Sequence, residues 1–158
     1  PAQPVPDRPL LMTRIDFYIL AEAGMAARHA FACKLVHKIA AMGHRIYLHC
    51  ADEQQARQLD ELLWQLHGER FLPHRLIDDG GAPCPVEIGY AGDPARHDDL
   101  LINLAGEIAP FFSRFHRLCE IVSQDPPTLA ATRANYRFYK DRHYPLHNHD
   151  LRRGNPPN

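Results

Sequence analysis

The chain has 158 residues, of which 45% are hydrophobic and 23% are charged, and its formal net charge at pH 7 is −1. This length fits a single domain, and the composition is ordinary for a globular protein. A net charge so close to zero excludes a global field that would attract nucleic acid or a membrane surface. No apolar run approaches the ~18 residues that a membrane helix needs, so we expect no contact with a membrane.

The four cysteines stand singly at positions 33, 50, 84 and 119, without a CxxC pair. This spacing favours reduced, mostly buried thiols over a disulfide framework, and therefore a cytoplasmic protein. Residues 1–12 are rich in proline and lack the basic-then-apolar order of a secretory signal, so we expect a disordered leader there.

The first half of the chain alternates strand and helix patterns. Residues 15–20 are predicted to form a strand, and residues 25–42 a helix that Gly43 stops. A second apolar run, residues 46–48, precedes a capping box in which Asp52 is followed three residues later by Gln55. The helix that begins there has a predicted apolar stripe formed by Ala56, Leu59, Leu63 and Leu66.

The second half predicts three further strands, over residues 86–90, 100–104 and 118–122. A short helix is expected over 108–115, and a last helix from 125 to between 139 and 142. The β-α-β-α order at the start produces right-handed parallel crossovers. We therefore predict one α/β domain over residues 13–146, with an open, largely parallel sheet of about five strands and about four helices, followed by a polar tail over 147–158.

No catalytic or cofactor-binding constellation emerges from the residues. The turn after the first predicted strand, residues 21–27, has one glycine, whereas a nucleotide phosphate needs a glycine-rich turn. Cys50 is followed by Asp52 and Glu53, acids that raise a thiol pKa and so disfavour a nucleophile. The histidines near the end of the chain (143, 147 and 149) lack the rigid spacing of a zinc site. We therefore expect no metal, no cofactor and no enzymatic activity.

One face of the last predicted helix is unusual. Arg133, Arg137 and Lys140 recur at helical spacing, interleaved with the aromatic residues Tyr136, Phe138, Tyr139 and Tyr144. Guanidinium groups beside aromatic rings suit an anion that carries an apolar group, such as an acidic peptide end or a nucleic-acid strand. The alternative is a solvated basic face above tyrosines that pack in the core, and the spacing alone leaves both open.

Several segments resemble those of one known family, the chi subunit of the bacterial DNA polymerase III holoenzyme, an accessory protein of the clamp loader. The resemblance covers residues 13–146. It is carried by FYIL at 17–20, ADEQQARQLDELLW at 51–64, FLPH at 71–74, GGAPCPVEI at 80–88, DLLINL at 99–104 and RANYRFYK at 133–140.

The resemblance implies a non-catalytic adaptor with a three-layer, Rossmann-like fold and helices on both faces of the sheet. Similar proteins bind the small psi subunit on one surface, which matches Trp64, Phe71 and Pro73 here. On another surface they bind the acidic tail, ending in phenylalanine, of single-stranded-DNA-binding protein, and so associate indirectly with single-stranded DNA. The residues matching that surface are Arg133, Tyr136, Arg137, Tyr144 and Leu146. The chain departs from the family pattern at Leu129, where members place a lysine, and this bears on the strength of tail binding rather than its site.

Two rival functions remain at this point: an enzyme on a nucleotide-binding-like α/β fold, and a module that touches single-stranded DNA directly through residues 133–142. The adaptor interpretation makes a structural prediction of its own. Trp64 and Phe71 should be partly exposed in the isolated chain, because Trp64 lies at the edge of the apolar stripe and is rotated ~100° from Leu63.

Overall fold

The computed structural model describes residues 12–66, 72–77, 83–92, 94 and 97–152. These residues form one sheet of seven strands in the order β3-β4-β2-β5-β6-β1-β7. Every neighbouring pair is parallel. The strands are β1 (Arg14–Ile19), β2 (Ile46–His49), β3 (His74–Leu76), β4 (Val86–Gly89), β5 (Leu100–Asn103), β6 (Arg117–Val122) and β7 (Leu146–Asp150).

Three α-helices connect these strands within the described residues: α1 (Met25–Ala41), α2 (Glu53–Gln65) and α3 (Pro126–Asp141). The predicted caps are present at the ends of α1 and α2. Gly43 follows α1 with a φ of 93°, a left-handed conformation that favours glycine. The Asp52 carboxylate accepts a hydrogen bond from the Gln55 backbone N–H at 2.9 Å. The predicted α/β class with a parallel sheet is confirmed.

The two faces of the sheet carry different layers. α1 and α2 cover one face and share an apolar cluster that includes Leu35, Val36, Leu59 and Leu63. α3 covers the other face, where Ile15, Phe17, Leu118 and Tyr139 belong to a second cluster. Along β1 and β6, alternate residues therefore enter opposite clusters, as the pleat of a strand requires. The three-layer arrangement expected from the resemblance is thus present.

Both edge strands were missed by the sequence analysis. β3 has three residues and pairs only with β4. β7 pairs only with β1 and includes residues 147–150, which belong to the predicted polar tail. That assignment is wrong for these four residues, because an edge strand needs no apolar run to form its backbone pairing. The sheet therefore has two more strands than the predicted number of about five, and these are the two edge strands.

The short helix predicted over 108–115 reduces to a single 3-10 turn, Phe112–Arg114. Pro110 has no N–H to donate, and too few residues remain before β6 for a full α-helical segment.

The apolar stripe predicted for α2 is confirmed at Ala56, Leu59 and Leu63, which are fully buried, whereas Leu66 lies just after the helix and is 47% exposed. No helix in the described part of the chain is long and apolar enough to cross a membrane.

Candidate protein-binding sites at the two edges of the sheet

A cavity of about 250 Å³ lies between α3 and the β7 edge of the sheet, and is called the α3 cavity below. Leu129, Thr132, Arg133 and Tyr136 form one side of it, at helical spacing along α3. The remaining lining residues come from the sheet and the segments that follow it: Phe17, Ile19, Val122, Gln124, Asn148 and Arg152. The cavity therefore joins a mostly apolar floor to a polar rim.

The floor is held by aromatic packing. The Phe17 ring on β1 meets the Tyr136 ring of α3 edge-to-face, with centroids 5.1 Å apart and planes at 67°. Val122 on β6 and Ile19 on β1 are neighbours in the parallel register and line the same cavity. An apolar side chain entering here would contact both strands and α3.

The rim carries two arginines. Arg133 is exposed on α3. Arg152 follows β7 and donates to both carboxylate oxygens of Asp150, from Nε at 2.9 Å and from Nη2 at 2.6 Å. Asp150 thus orients Arg152 while partly neutralising it. Arg133 has no carboxylate partner among the described residues, whereas Arg152 is already paired with Asp150. An anion at this rim would therefore interact mainly with Arg133.

The α3 cavity includes only some of the residues predicted for tail binding. Arg133 and Tyr136 line it together. Arg137 is exposed one turn further along α3 and does not line it. Tyr144 and Leu146 do not line it either: both are half-buried against the second apolar cluster. Leu129, the position of the departure from the family pattern, forms part of the apolar wall.

Seven lining residues were not assigned to this site by the sequence analysis: Phe17, Ile19, Val122, Gln124, Thr132, Asn148 and Arg152. Asn148 and Arg152 lie in and after the strand that was read as a tail. The parallel register of β7 on β1 places Asn148 opposite Phe17, and so carries this segment to the cavity. The sequence signal for this segment is a local excess of basic residues from position 133 to the end, with Lys or Arg at 133, 137, 140, 142, 152 and 153 against two aspartates.

α3 is fixed to the sheet by a buried polar cluster in addition to its packing on the second apolar cluster. The Glu120 carboxylate on β6 accepts hydrogen bonds at Oε2 from Asn103, Asn135 and Tyr139, at distances of 3.1, 3.2 and 2.8 Å. Burial raises the pKa of Glu120, while these three donors and the nearby Arg28 oppose the rise. Since Asn135 and Tyr139 belong to α3, the cluster sets the position of the helix that presents Arg133.

The β7 edge is held by a second buried carboxylate, Asp16 on β1. Asp16 contacts Arg117 at 2.6 Å, His149 of β7 at 2.9 Å and Arg14 at 3.1 Å. Burial acts to raise its pKa, but the hydrogen bonds from His149 and Arg117 outweigh burial, and the pKa is lowered overall. The His149 ring also stacks on Tyr18, with centroids 4.4 Å apart.

The opposite edge presents an apolar surface, called the Trp64 face below and formed by Trp64, Leu66 and Pro73. Trp64 is 52% exposed, which confirms its predicted exposure. Its ring meets His74 of β3 edge-to-face with centroids 5.0 Å apart, so the exposed indole is positioned by the edge strand. Pro73 is exposed, and Phe71 lies outside the described residues.

The cysteines behave as structural thiols. All four are free, and Cys33, Cys50 and Cys119 are buried. Burial, followed by the charge of Asp52, raises the pKa of Cys50 to about 12, the direction predicted from the sequence. Such a thiol is protonated at neutral pH and is a poor nucleophile. Among the described residues, no group of three or more His, Cys, Asp or Glu side chains is placed to hold a metal ion.

Comparison with known proteins identifies the family. The sequence profile described as "DNA polymerase III chi subunit, HolC" matches residues 12–147. The protein named DNA polymerase III subunit chi in Pseudomonas aeruginosa is 44% identical over 142 residues, covering 90% of this chain and 99% of that protein.

Two further relatives carry the same name. The one from Haemophilus influenzae is 34% identical over 124 residues, covering 77% of this chain and 86% of the relative. The one from Escherichia coli is 29% identical over 136 residues, covering 82% and 92%. The residues that the profile matches include all three described α-helices and the strands β1 to β6. This chain therefore belongs to the family of the DNA polymerase III chi subunit.

Proposed function

We propose that this chain is a non-catalytic, cytoplasmic adaptor of the replication machinery that binds the psi subunit at one edge of its sheet and the tail of single-stranded-DNA-binding protein at the other. Family membership supports the replication role. The pairing of Arg133 with an apolar-floored cavity is the observation that carries the assignment of the tail site.

The chemistry of the α3 cavity suits a peptide that ends in phenylalanine. Such a tail offers a terminal carboxylate, acidic side chains and one aromatic ring. The Arg133 guanidinium can donate two parallel hydrogen bonds to the carboxylate. Phe17, Ile19, Val122 and Tyr136 can receive the ring, since they form the apolar part of the lining.

The residues outside the cavity have supporting roles in this proposal. Arg137 and Lys140 continue the basic face along α3 and attract the acidic residues upstream of the terminal phenylalanine. Tyr144 and Leu146 contribute indirectly, because they pack against the cluster beneath α3. Association with single-stranded DNA is then indirect, through the protein whose tail is bound.

The psi interface is proposed at the Trp64 face together with Phe71. A half-exposed tryptophan beside a loop proline is the kind of rigid anchor that dominates protein interfaces. Asp60, near the same end of α2, lies 3.4 Å from His74 Nε2, so a polar pair sits behind the exposed ring. The Trp64 face is remote from the α3 cavity, since β3 and β7 are opposite edges of the sheet. One chain can therefore bind both partners at once.

The decisive experiment titrates an acidic peptide ending in phenylalanine into wild type and Arg133→Ala by calorimetry. We expect Arg133→Ala to weaken binding by about 2 kcal/mol or more. Arg45→Ala is the matched control, because Arg45 is an exposed arginine at the start of β2 and does not line the cavity. Equal affinities for wild type and Arg133→Ala would remove the tail site from the α3 cavity.

A second variant tests the departure at position 129. Leu129→Lys places a cation in the cavity wall one turn before Arg133, and we expect it to tighten peptide binding about threefold, as an exposed charge pair would. Direct binding of single-stranded DNA is the competing function for the same basic face. It predicts affinity for an oligonucleotide, with a steep salt dependence, that does not require the peptide's terminal phenylalanine.

A further inference from the structure

Another cavity, called the switch-point cavity below, lies away from both edges and has a volume of about 390 Å³. It opens at the carboxyl ends of β2 and β5, which are neighbours in the sheet. After β2 the chain continues through α2 toward the β3 edge, and after β5 it continues to β6 on the opposite side. This divergence makes the crevice a topological switch point, where open α/β sheets most often bind ligands.

A buried cation lines this cavity. Arg28 of α1 is 3% exposed, with Nε donating to the Ile121 carbonyl at 2.9 Å and Nη1 donating to the Leu104 carbonyl at 3.0 Å. Within the described part of the chain, Nη2 has no hydrogen-bond acceptor, and Arg28 forms no ion pair. Burial lowers the pKa of Arg28, although the charges of Glu120 and Asp125 oppose the shift. A buried guanidinium without a carboxylate in contact is stabilised by an incoming anion.

The neighbouring His29, 5% exposed, supplies a second donor. The Ala51 N–H donates to Gln55 Oε1 at 2.7 Å, which fixes the orientation of the Gln55 amide. Gln55 Nε2 therefore donates to the Leu104 carbonyl at 3.2 Å and to His29 Nε2 at 3.0 Å. Because His29 Nε2 accepts, the ring proton is on Nδ1. Burial, and then the charge of Arg28, lower the pKa of His29, in keeping with this neutral ring.

Neither free donor is fully enclosed by the protein, and both side chains belong to the lining of the cavity. Among the described residues, His29 Nδ1 has no acceptor, and neither this atom nor Arg28 Nη2 belongs to the fully enclosed atoms that lack a hydrogen-bond partner. Each side chain lines the cavity together with the apolar residues Met25, Leu104 and Ala131. The cavity thus offers two unused donors beside an apolar wall.

The nearby helix ends favour a singly charged ligand over a phosphate. The Gly24 N–H before α1 already donates to Asp125 at 2.9 Å, and the Gln55 N–H in the first turn of α2 donates to Asp52. Two carboxylates thus occupy backbone donors that a phosphate would use, and Asp52 lines the cavity. A dianion would be repelled by these acids, whereas one carboxylate matches the two remaining donors.

We propose that the switch-point cavity binds a small monocarboxylate, whose oxygens accept from Arg28 Nη2 and His29 Nδ1 and whose apolar body lies against Leu104 and Ala131. This site is separate from the proposed psi and tail sites and does not depend on them. It gives a binding role to the buried side chains of Arg28 and His29, which belong to neither the α3 cavity nor the Trp64 face.

The test is an NMR titration of the isotope-labelled full chain with three probes that share one ring: benzoate, benzamide and phenyl phosphate. We expect saturable shifts around Arg28, Gln55 and Leu104 with benzoate. Benzamide, which lacks the charge, should bind at least ~10-fold more weakly. No saturable binding of benzoate, equal binding of benzamide, or tighter binding of phenyl phosphate would each overturn the proposal.

Two variants locate the binding. Gly106→Leu fills the cavity while leaving Arg28 and His29 unchanged, and its Cβ would meet only the Ala131 Cβ, at 3.9 Å. We expect it to abolish benzoate binding while keeping the affinity for the tail peptide. Ala130→Leu is the matched control, because Ala130 is exposed beside Ala131 and does not line the cavity. Arg28→Met should also abolish binding if it folds, and unchanged benzoate affinity in Gly106→Leu would overturn the proposal by itself.

Discussion

The two helices nearest the edges of the sheet are fixed to it by different chemistry. α2 buries Ala56, Leu59 and Leu63 beside a single polar residue, Gln55. The buried residues of α3 are Thr128, Thr132, Asn135 and Tyr139, all with polar atoms. The exposed side chains show the opposite contrast. The apolar Trp64 is exposed on α2, whereas cationic side chains are exposed on α3.

This difference teaches how one small domain can present two surfaces of different chemistry. The Trp64 face lies beside α2, which is held by apolar packing. Association at this face is favoured by the burial of apolar surface, which salt affects little. The α3 cavity carries arginines on a helix that the Glu120 cluster positions. Association at this cavity is favoured by electrostatic attraction, which salt screens. The two edges should therefore respond differently to mutation, pH and ionic strength.

The largest effect is expected at the anchor of α3. Glu120→Ala leaves the donors of Asn103, Asn135 and Tyr139 without their shared acceptor, and should lower the free energy of unfolding by about 4 kcal/mol. Urea unfolding measures this loss. Glu120→Gln, which keeps an accepting oxygen, should lose less than half as much. A stability of Glu120→Ala equal to that of wild type would show that α3 is held by apolar packing, as α2 is.

A pH-dependent effect is expected at the β7 edge. Asp16→Asn weakens the contacts with Arg117 and His149, and should cost about 3 kcal/mol at pH 7, as the loss of a buried ion pair does. The pKa of Asp16 is lowered in the folded state, so its stabilisation is present above its ordinary pKa and is lost as pH falls through the lowered value.

The difference in unfolding free energy between wild type and Asp16→Asn should therefore shrink as the pH falls below about 4. Urea titrations at pH 7, 5 and 3 measure it. A difference that stays constant over this range would mean that the Asp16 carboxylate contributes nothing to holding β7.

At the Trp64 face we expect an effect on binding rather than on folding. Trp64→Ala should weaken psi binding by about 2 to 4 kcal/mol, the range of interface hot spots. Its unfolding free energy should change by less than about 1 kcal/mol, because the side chain is half exposed. Met42→Ala is the control, since Met42 is an exposed apolar residue that directly follows α1. Calorimetry with purified psi subunit decides, and an unchanged affinity would assign the interface elsewhere.

The smallest effect is expected along the basic face. Lys140→Ala should weaken binding of the tail peptide by well under ~1 kcal/mol, as exposed pairs usually do. The difference should vanish at about 1 M salt, where the Debye length falls to roughly 3 Å. Fluorescence anisotropy at low and high salt measures it. If salt instead weakened the psi complex as much as the peptide complex, the contrast between the two edges would not hold.

Periodicity in the sequence predicted the central elements because each has a buried pattern of its own. The strands at 15–20, 46–48, 100–104 and 118–122 were predicted from mostly apolar runs, and the strand at 86–90 from alternating apolar and polar residues. They correspond to β1, β2, β5, β6 and β4, respectively. The local signals at Asp52 and Gly43 also act as predicted, since caps depend on neighbouring residues alone. For the proposed tail site, the helical spacing of Arg133 and Tyr136 predicts that they share one face of α3, and both line the α3 cavity.

Tertiary structure alone decided the edges and the rest of that cavity. β3 and β7 each pair with one strand, so their sequences need little apolar character, and His74–Leu76 and Leu146–Asp150 carry no clear strand pattern. Asn148 reaches Phe17 only through the register of β7 on β1. Such long-range pairing joins residues more than a hundred positions apart, and no local propensity records it.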